Sequence, residues 1–501
     1  MSPSAADADT APTTSADAPA GPALDPLRWK TLLVVGIVSL MVVLDSTVMN
    51  IALPSIQADL GLSDADRQWV VTAYTLAFGG LLLLGGRIGD YGGRKRALII
   101  GLAGFAIASA LGGFAESALV LILARAATGA FAALLAPVTI SLIAVSFADD
   151  RERTRAFATY SAIAAGGGAI GLVLGGVLTQ LASWHWCLLI NLAFAVPAIL
   201  LAVPFVRESK ASGEARYDVP GAILGTAGVV AMVFGLGEAG THGWGSSSAL
   251  APLALGVILL IFFVIAEHRA IAPLLPFRVV RDRNRAGAFL GSLLTGASLF
   301  ATFLFISYYL QAVKGYPPLE AGLLGLPFSA GVVVSTWIAQ RLLAPVGPRL
   351  LTTAGFGLAV LGTLGLARIG VTSQYATDML PSLLVMSLGM GLIFVPTTVV
   401  AVAGVDPGDL GVASALVNMT QQIGGSLGVA LLNTVATATT AAFVVTAGGS
   451  ISDPAALVAG LTAAFGWSAA ILLLGGSIWF LLVRIGPRPG SNGAAVAEAA
   501  P

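Results

Sequence analysis

The sequence predicts an all-α polytopic membrane protein that crosses the bilayer fourteen times, and three observations support this. The chain of 501 residues is 57% hydrophobic and 10% charged, with a mean hydropathy of +0.91, whereas soluble domains carry about 25% charged residues. Fourteen apolar runs are long enough to cross a bilayer, which takes about 20 residues per helix. Lysine and arginine concentrate on alternate connections between these runs, as the positive-inside rule requires.

The apolar runs are continuous, so they predict helices and not the alternating strands of a membrane barrel. We place the fourteen spans at 31–53, 69–88, 97–115, 118–145, 156–181, 186–206, 219–238, 249–267, 286–311, 318–342, 350–368, 377–402, 410–436 and 462–483.

The basic residues set the predicted orientation. With both termini in the cytoplasm, 21 lysines and arginines fall in cytoplasmic segments. Three fall outside, namely Arg67, Lys314 and Arg368, and Arg125 lies within a span. A wrong number of spans would scramble this division, so the division supports fourteen.

A faint internal repeat divides the chain. Gly93 and Gly101 flank the junction of spans 2 and 3, and Gly347 and Gly355 flank that of spans 10 and 11, each 254 residues later. Duplicated halves with parallel topology are common in transporters, and six spans plus six leave spans 7 and 8 as an inserted pair. The predicted organisation is a disordered cytoplasmic tail at 1–27, a six-helix bundle at 28–206, a linker with helices 7 and 8 at 207–285, a second six-helix bundle at 286–484 and a second tail at 485–501.

Composition also argues against several classes of function. The net charge is zero, so no nucleic-acid partner is expected. The single cysteine, Cys187, cannot form an intramolecular disulfide, and the three histidines show no metal-ligand spacing. We find no nucleophile–base pair and no phosphate-binding glycine loop before a lysine. An enzyme, a cofactor and ATP as the energy source are therefore disfavoured.

Two charged side chains lie inside predicted spans. Asp45 is the only ionisable group between Thr31 and Leu53, and Arg125 lies within the fourth span. At 1.5 Å per residue, Asp45 is about 12 Å and Arg125 about 10 Å below the same outer surface. A charge at membrane depth costs roughly 2.5–3.5 kcal/mol, and an opposite charge offsets part of it, so we predict an ion pair. The alternative to a proton-carrying role is a static pair that fixes helix packing.

The loop Gly86–Arg96 combines glycines that permit a tight turn with the positive charge expected in the cytoplasm. The positive-inside rule does not explain Asp90. We expect Asp90 to make a switchable contact, either with nearby arginines or with a positive helix N-terminus. A turn that merely retains topology is the alternative.

Span 5 is rich in glycine, and each glycine costs a helix about 1 kcal/mol relative to alanine. That cost is reasonable where backbones approach closely. Three of these glycines recur every four residues and form one smooth face, which we expect to pack reversibly against the other half of the molecule; ordinary helix packing is the alternative. The glycines are Gly166, Gly167, Gly168, Gly171, Gly175 and Gly176.

These stretches resemble the signature motifs of the major facilitator superfamily, in its fourteen-span drug:proton antiporter branch. Leu44–Pro54 matches the span-1 pattern L-D-x-T-x-x-N-x-A-L-P at every fixed position. Gly86–Arg96 resembles the loop motif G-x-L-x-D-x-x-G-R-K-R, with Ile88 in place of Leu. The resemblance is strong over residues 31–206 and weaker beyond them.

Two motifs depart from the family pattern. Leu121–Gly129 resembles the span-4 motif L-x-x-x-R-x-x-Q-G, with Thr128 in place of Gln. Gly167–Gly176 resembles the span-5 antiporter motif G-x-x-x-G-P-x-x-G-G, with Leu172 in place of Pro. The first change weakens a hydrogen-bond partner of the span-4 arginine. The second leaves a straighter helix and puts tight coupling of export to protons in question.

The resemblance implies the major facilitator fold, with two six-helix bundles plus two additional central helices. It places Asp45 and Arg125 in the proton-coupling machinery. It makes the cytoplasmic loop a conformational latch, with Asp90 near the cytoplasmic start of span 13 and the other latch positions at Gly86, Gly93, Arg94, Lys95 and Arg96. It also implies that the span-5 glycines, Gly167, Gly171, Gly175 and Gly176, serve export against proton entry.

Uncharged polar residues suggest where a substrate passes. Amides on span 13 suit neutral, hydrogen-bonding substrates, although amides also hold helices together. The candidate pathway residues are Thr47, Asn50, Tyr74, Asn191, Asn418 and Gln422.

The function expected from these features is export of amphipathic drugs or antibiotics, driven by the proton gradient through alternating access. Proton-coupled solute uptake, an uncoupled facilitator and a membrane-embedded sensor are the alternatives, since fold-level likeness does not fix function. The expected partners are small amphipathic molecules, protons and the lipid bilayer, with the chain as a monomer. Its alanine- and glycine-rich composition suggests a bacterial plasma membrane.

Overall fold

A computed structural model describes residues 26–147, 149–211, 218–270, 273–405, 409–447 and 450–485. In these residues the chain is helical, and fourteen helical spans are long and apolar enough to cross a membrane. The predicted fold class and number of spans are therefore confirmed. The two predicted tails, 1–27 and 485–501, lie outside the described residues except for residues 26, 27 and 485.

The first bundle consists of six helices, in which α1 packs against α5 and α6, and α4 packs between α2 and α3. Because consecutive spans run in opposite directions, the α2–α3 turn at Gly93 marks one side of the molecule and the α1–α2 turn at Gly61 marks the other. We call these the basic side and the opposite side. The helices are α1 Arg28–Leu60, α2 Asp64–Gly92, α3 Arg94–Gly113, α4 Ala118–Ser146, α5 Asp150–Leu181 and α6 Trp186–Phe205.

The second bundle repeats this pattern, with α10 packed against α15 and α16, and α14 packed against α12 and α13. The tenth span of the chain, which lies in this bundle, differs from the prediction, because the helix is interrupted at Gly325 on the opposite side. Its thirteenth span continues well beyond the predicted end at residue 436. The helices are α10 Arg283–Tyr308 with a π-helical turn Tyr309–Val313, α11 Pro318–Leu324, α12 Leu326–Val346, α13 Pro348–Leu366, a π-helical turn Tyr375–Met379 leading into α14 Leu380–Val402, α15 Leu410–Ala447 and α16 Pro454–Leu482.

The two turns that suggested an internal repeat share an unusual backbone conformation. Gly93 alone separates α2 from α3, with φ of 112°, and Gly347 alone separates α12 from α13, with φ of 80°. Positive φ is accessible to glycine at little cost. Glycine therefore recurs 254 residues apart because both turns reverse the chain within a single residue.

The inserted helices, α7 Val219–His242 and α8 Ser247–Arg269, are central in the sequence but lie at the side of the molecule. Helix α7 packs against both α2 and α15. Thr226 contacts α2 at Gly80, and the Thr434 hydroxyl of α15 donates to the Leu236 carbonyl at 2.6 Å. Helix α8 packs on α7 and exposes most of its apolar surface. The pair therefore covers the line where α2 meets α15.

A short helix, α9 Phe277–Val280, lies in the connection from α8 to α10 and is fastened to the second bundle. Its Arg278 makes a bidentate ion pair with Asp409, with Nε–Oδ2 at 2.5 Å and Nη2–Oδ1 at 2.9 Å. The hydrogen bonds from Arg278 hold the pKa of the Asp409 carboxyl below its ordinary value. The ion pair thus fixes this connection to the residue just before α15.

We expect replacement of Arg278 by glutamine to weaken this attachment only slightly. The Arg278 side chain is largely exposed, so the loss should be at most about 1 kcal/mol. A carboxyl whose pKa is lowered by folding stabilises the protein above its unfolded pKa, and that contribution is lost as pH falls through the folded pKa. Thermal unfolding between about pH 3 and pH 7 should therefore show a smaller acid-side decline in the variant than in the parent. An unchanged acid-side decline would contradict this.

Candidate coupling site and the seam between the bundles

Asp45 on α1 and Arg125 on α4 are in direct contact inside the first bundle. The Arg125 Nη1 donates to Asp45 Oδ2 at 2.6 Å, and the two residues are 2% and 1% exposed. Removing one member of such a buried pair typically costs about 3–5 kcal/mol, because the other charge remains without compensation. The pairing expected from the depth of the two residues is therefore what the structure contains.

Neighbouring groups complete a polar cluster around the ion pair. Asn191 Nδ2 on α6 donates to Asp45 Oδ1 and to Ser109 Oγ on α3, both at 2.8 Å. Arg125 Nε donates to the Val70 carbonyl at 3.3 Å, and its guanidinium lies 4.4 Å from the centre of the Tyr74 ring. The pair is thus oriented by five helices: α1, α2, α3, α4 and α6.

Close approach of α2 to α4 makes this geometry possible. A Cβ on Gly129 of α4 would lie 2.3 Å from the Tyr74 carbonyl, and one on Gly85 of α2 would lie 2.2 Å from the Ala133 carbonyl. Any larger residue at either position would force the helices apart. The glycines therefore bring the α2 backbone within reach of Arg125.

The predicted latch loop makes contacts within the first bundle and with the connection that follows α6. Asp90 accepts hydrogen bonds from Arg94, with Nε–Oδ1 at 2.9 Å. The backbone amides of Lys95 and Arg96, at the start of α3, donate to Glu208 at 3.1 and 3.2 Å. Of the two contacts considered for Asp90, the structure thus contains the one with a nearby arginine. The predicted proximity of Asp90 to the start of span 13 stays a prediction.

Two glycines of the latch loop, Gly93 and Gly86, are each explained by a different local constraint. Gly93 has the positive φ described above, and Glu208 occupies the space where its Cβ would lie. Gly86 lies against Pro137 of α4, 3.3 Å from where its Cβ would be. The loop is thus a capped turn as well as a candidate latch.

The smooth face of glycines on α5 packs differently from our expectation. Gly167, Gly171 and Gly175 face α1 of the same bundle, where their nearest neighbours include Val43, Thr47 and Val48. The expectation that this face meets the other half is therefore wrong. Glycine spacing predicts a close contact, but it does not say which helix makes that contact.

A different side of α5 reaches the second bundle. A Cβ on Gly176 would lie 2.5 Å from the Leu319 Cα, and one on Gly322 of α11 would lie 2.3 Å from the Leu172 carbonyl. Leu172, in the motif position that usually holds proline, thus lies at this contact. The two bundles meet here backbone to backbone on the opposite side.

The six predicted pathway residues do not form one site. Tyr74 and Asn191 belong to the polar cluster around Asp45 and not, in this arrangement, to the seam between the bundles. The Thr47 hydroxyl bonds to carbonyls of its own helix and packs against α5. Asn50 and Gln422 do lie at the seam, and Asn418 is exposed.

A polar network that no sequence pattern indicated joins the bundles on the opposite side. Arg67 Nη2 on α2 donates to Asn433 Oδ1 on α15 at 3.2 Å, and Asn433 Nδ2 donates to Gln68 Oε1 at 3.2 Å. The Arg67 guanidinium also lies 4.3 Å from the centre of the Tyr308 ring on α10. Because Arg67 follows acidic residues at a helix start, it resembles an ordinary solvated charge, and no local pattern reveals its burial.

The hydrogen bonds between the two bundles, among the described residues, lie from the middle of the seam to the opposite side. Thr75 and Ser426 hydroxyls meet at 2.6 Å near the middle. Ser307 Oγ donates to the Asn50 carbonyl at 2.7 Å, and the Leu319 amide donates to Gln180 Oε1 at 3.2 Å. The bundles are therefore held together on the opposite side.

Two six-helix bundles that meet along such a seam, one of them containing a buried ion pair, define a polytopic membrane transporter. The chain belongs to the Major Facilitator Superfamily, whose sequence profile matches residues 35–429. This agrees with the resemblance of its motifs.

Curated relatives cover most of the chain. It is 44% identical over 466 residues to the puromycin resistance protein of Streptomyces alboniger, covering 92% of each chain. It is 40% identical over 399 residues to the cephamycin export protein of Amycolatopsis lactamdurans, covering 79% of this chain and 82% of the relative. It is 32% identical over 408 residues to the lincomycin resistance protein of Streptomyces lincolnensis, covering 81% and 83%.

Solved structures share the fold at low sequence identity. An auto-inhibited peptide transporter of the POT family matches with a TM-score of 0.66 at 17% identity, covering 93% of this chain and 99% of that chain. A bacterial homologue of the lysosomal transporter Spinster, inward-facing and unoccupied, matches with a TM-score of 0.65 at 16% identity, covering 92% and 98%. These similarities support the fold alone.

Proposed function

We propose that this protein exports amphipathic antibiotics or related drugs across a bacterial plasma membrane in exchange for protons. The observation that carries the proposal is the buried Asp45–Arg125 pair, in a chain whose curated relatives are named for antibiotic resistance and export. Both termini lie in the cytoplasm in this proposal, so the basic side faces inward. The chain acts as a monomer without a cofactor.

Asp45 is the proposed proton carrier. In the arrangement described, its charge is compensated by Arg125 and oriented by Asn191. A proton on the carboxylate removes its negative charge and leaves Arg125 to its remaining contacts with Val70 and Tyr74. The resulting change in the packing of α1, α4 and α6 is the event that couples proton binding to movement of the first bundle.

Alternating access supplies the transport step. The bundles are joined on the opposite side by Arg67, Asn433 and the contact of α5 with α11, so this arrangement is the one closed to the outside. Opening that side requires these contacts to separate while the basic side closes. Asp90, released from Arg94, is then available to hold the basic side closed, as the latch proposal requires.

Uptake, uncoupled transport and sensing are the competing proposals for the same fold. None of them requires that a substrate leave the cell against its gradient while protons enter. The names of the relatives favour export over all three. No observation favours an enzyme.

Everted membrane vesicles that contain this protein test the proposal. When respiration has acidified the vesicle interior, addition of a transported antibiotic should cause protons to leave the lumen while the antibiotic accumulates there. A panel that includes puromycin, a cephamycin and lincomycin should identify at least one such compound. Accumulation that persists after a protonophore collapses the gradient would refute proton coupling, and absence of accumulation for the whole panel would refute this substrate class.

A further inference from the structure

Two buried carboxyl groups lie together at the basic-side ends of the inserted helices, far along the chain from Asp45. Glu267, in the last turn of α8, is 2% exposed, and Asp218, the N-cap of α7, is 9% exposed. Each uses one oxygen for a backbone amide. Asp218 Oδ1 accepts from Gly221 at 2.8 Å, and Glu267 Oε2 accepts from Leu275 at 3.0 Å.

The other two oxygens face each other. Asp218 Oδ2 and Glu267 Oε1 are buried and have no hydrogen-bond donor among the described residues. A Cβ on Gly221 would lie 2.6 Å from the first and 2.8 Å from the second, so both oxygens point to the same small space. The two carboxyl groups are close enough to hydrogen-bond if one of them carries a proton.

Charge balance favours one proton bound between the two carboxyl groups over two ionised carboxylates or a bound divalent metal ion. Among the described residues, Arg87 of α2 is a cation in electrostatic contact with Glu267, and its Nη2 donates to the Pro273 carbonyl at 2.6 Å. Two ionised carboxylates at this separation would repel each other in a buried site, whereas one shared proton leaves a single negative charge opposite Arg87. A divalent metal ion would instead leave the cluster positively charged.

We propose that Asp218 and Glu267 form a second proton-binding site, in which one proton shared by the two carboxyl groups holds the basic-side ends of α7 and α8 together. Among the described residues, the His268 ring stacks on Phe277 with centroids 3.9 Å apart, Arg278 pairs with Asp409, and Arg269 is exposed. The site is independent of Asp45 and does not rest on the direction of transport.

The shared proton makes the stability of this region depend on pH with a definite sign. The folded protein holds a proton that two separated carboxylates in the unfolded chain release well below neutrality. Stability therefore falls as pH rises through the range in which the pair loses its proton. Loss of the proton leaves adjacent negative charges that push the start of α7 away from the end of α8.

Infrared difference spectroscopy of the purified protein in lipid nanodiscs tests the site. Between about pH 6 and pH 9, the parent should lose one protonated-carboxyl C=O band. This band should be absent from both Glu267→Gln and Asp218→Asn, because the remaining carboxylate beside Arg87 ionises. It should persist in Asp45→Asn and in the matched control Glu238→Gln, which alters a carboxylate at the other end of α7.

Three results would overturn the proposal: no protonated band in the parent near neutrality, an undiminished band in both single variants, or a band removed by added Na⁺, Mg²⁺ or Ca²⁺ at constant pH. The last result would mean that the site binds a cation. Thermal unfolding provides an independent measurement. The parent should melt several degrees lower at about pH 9 than at pH 6, whereas Glu267→Gln, which keeps an acceptor for the Leu275 amide, should lose most of that difference.

Discussion

Asp45→Asn is expected to abolish proton-driven antibiotic export while leaving the protein folded. Asparagine keeps an oxygen that can accept from Arg125, but it can neither carry a charge nor exchange a proton. The loss of one charge from the pair should cost stability, toward the lower end of about 3–5 kcal/mol. In everted vesicles, antibiotic accumulation should fall to the level of vesicles without the protein, and antibiotic addition should release no protons.

A matched control lies on the same helix. Asp59 accepts a hydrogen bond from Trp184 Nε1 at 2.8 Å near the opposite side, so Asp59→Asn makes the same chemical change outside the buried pair. It should retain most of the transport. Measuring the exchange of antibiotic across the membrane without a proton gradient distinguishes loss of proton coupling from loss of folding. Asp45→Asn should preserve this exchange. Full gradient-driven export by Asp45→Asn would refute the proposed role of this carboxylate.

Gly176→Val is expected to favour the arrangement that is open on the opposite side. The added side chain would collide with the backbone of Leu319 on α11, so the bundles could close there only by shifting. Such overpacking costs about 1–3 kcal/mol, which corresponds to roughly a 5- to 150-fold change in a conformational equilibrium. The variant should fold, because the collision arises between bundles and only in one arrangement, but it should export slowly.

Cysteine labelling measures this shift. In a Cys187→Ala background, which lacks other cysteines, Ser307→Cys places a thiol at the closed seam. Maleimide should label this thiol at least about fivefold faster when Gly176→Val is also present. Gly166→Val is the control. Gly166 lies on the same helix as Gly176, but a Cβ at Gly166 would meet no atom of a neighbouring element within 4 Å. Equal labelling rates for the two valine variants would contradict a gating role for the α5–α11 contact.

The sequence was most informative where burial is expensive. A lone carboxylate and a lone guanidinium within apolar runs had to find partners, so their contact could be predicted from depth alone. The one-residue turns at Gly93 and Gly347 were similarly constrained, because few conformations reverse a helix so abruptly. At such positions the structure can be predicted from the residue type and its immediate sequence neighbours.

Other features depend on which helices become neighbours, and no local pattern encodes that. The spacing of Gly167, Gly171 and Gly175 indicated close packing, yet the partner was α1 and not the second bundle. Asp218 and Glu267 lie at span ends, where water ordinarily solvates carboxylates. They are buried because the start of α7 and the connection after α8 fold together, which requires the assembled structure to recognise.

The position of α7 has a consequence for how the molecule moves. This helix touches α2 of one bundle and α15 of the other, so a rotation between the bundles must displace it relative to at least one of them. Its contact with α15 includes the hydrogen bond from Thr434, whereas the contact with α2 at Gly80 is steric. At the basic side Arg87 of α2 donates to the Pro273 carbonyl just beyond α8, so the inserted pair is attached to both bundles and a rotation between them must disturb at least one of these attachments.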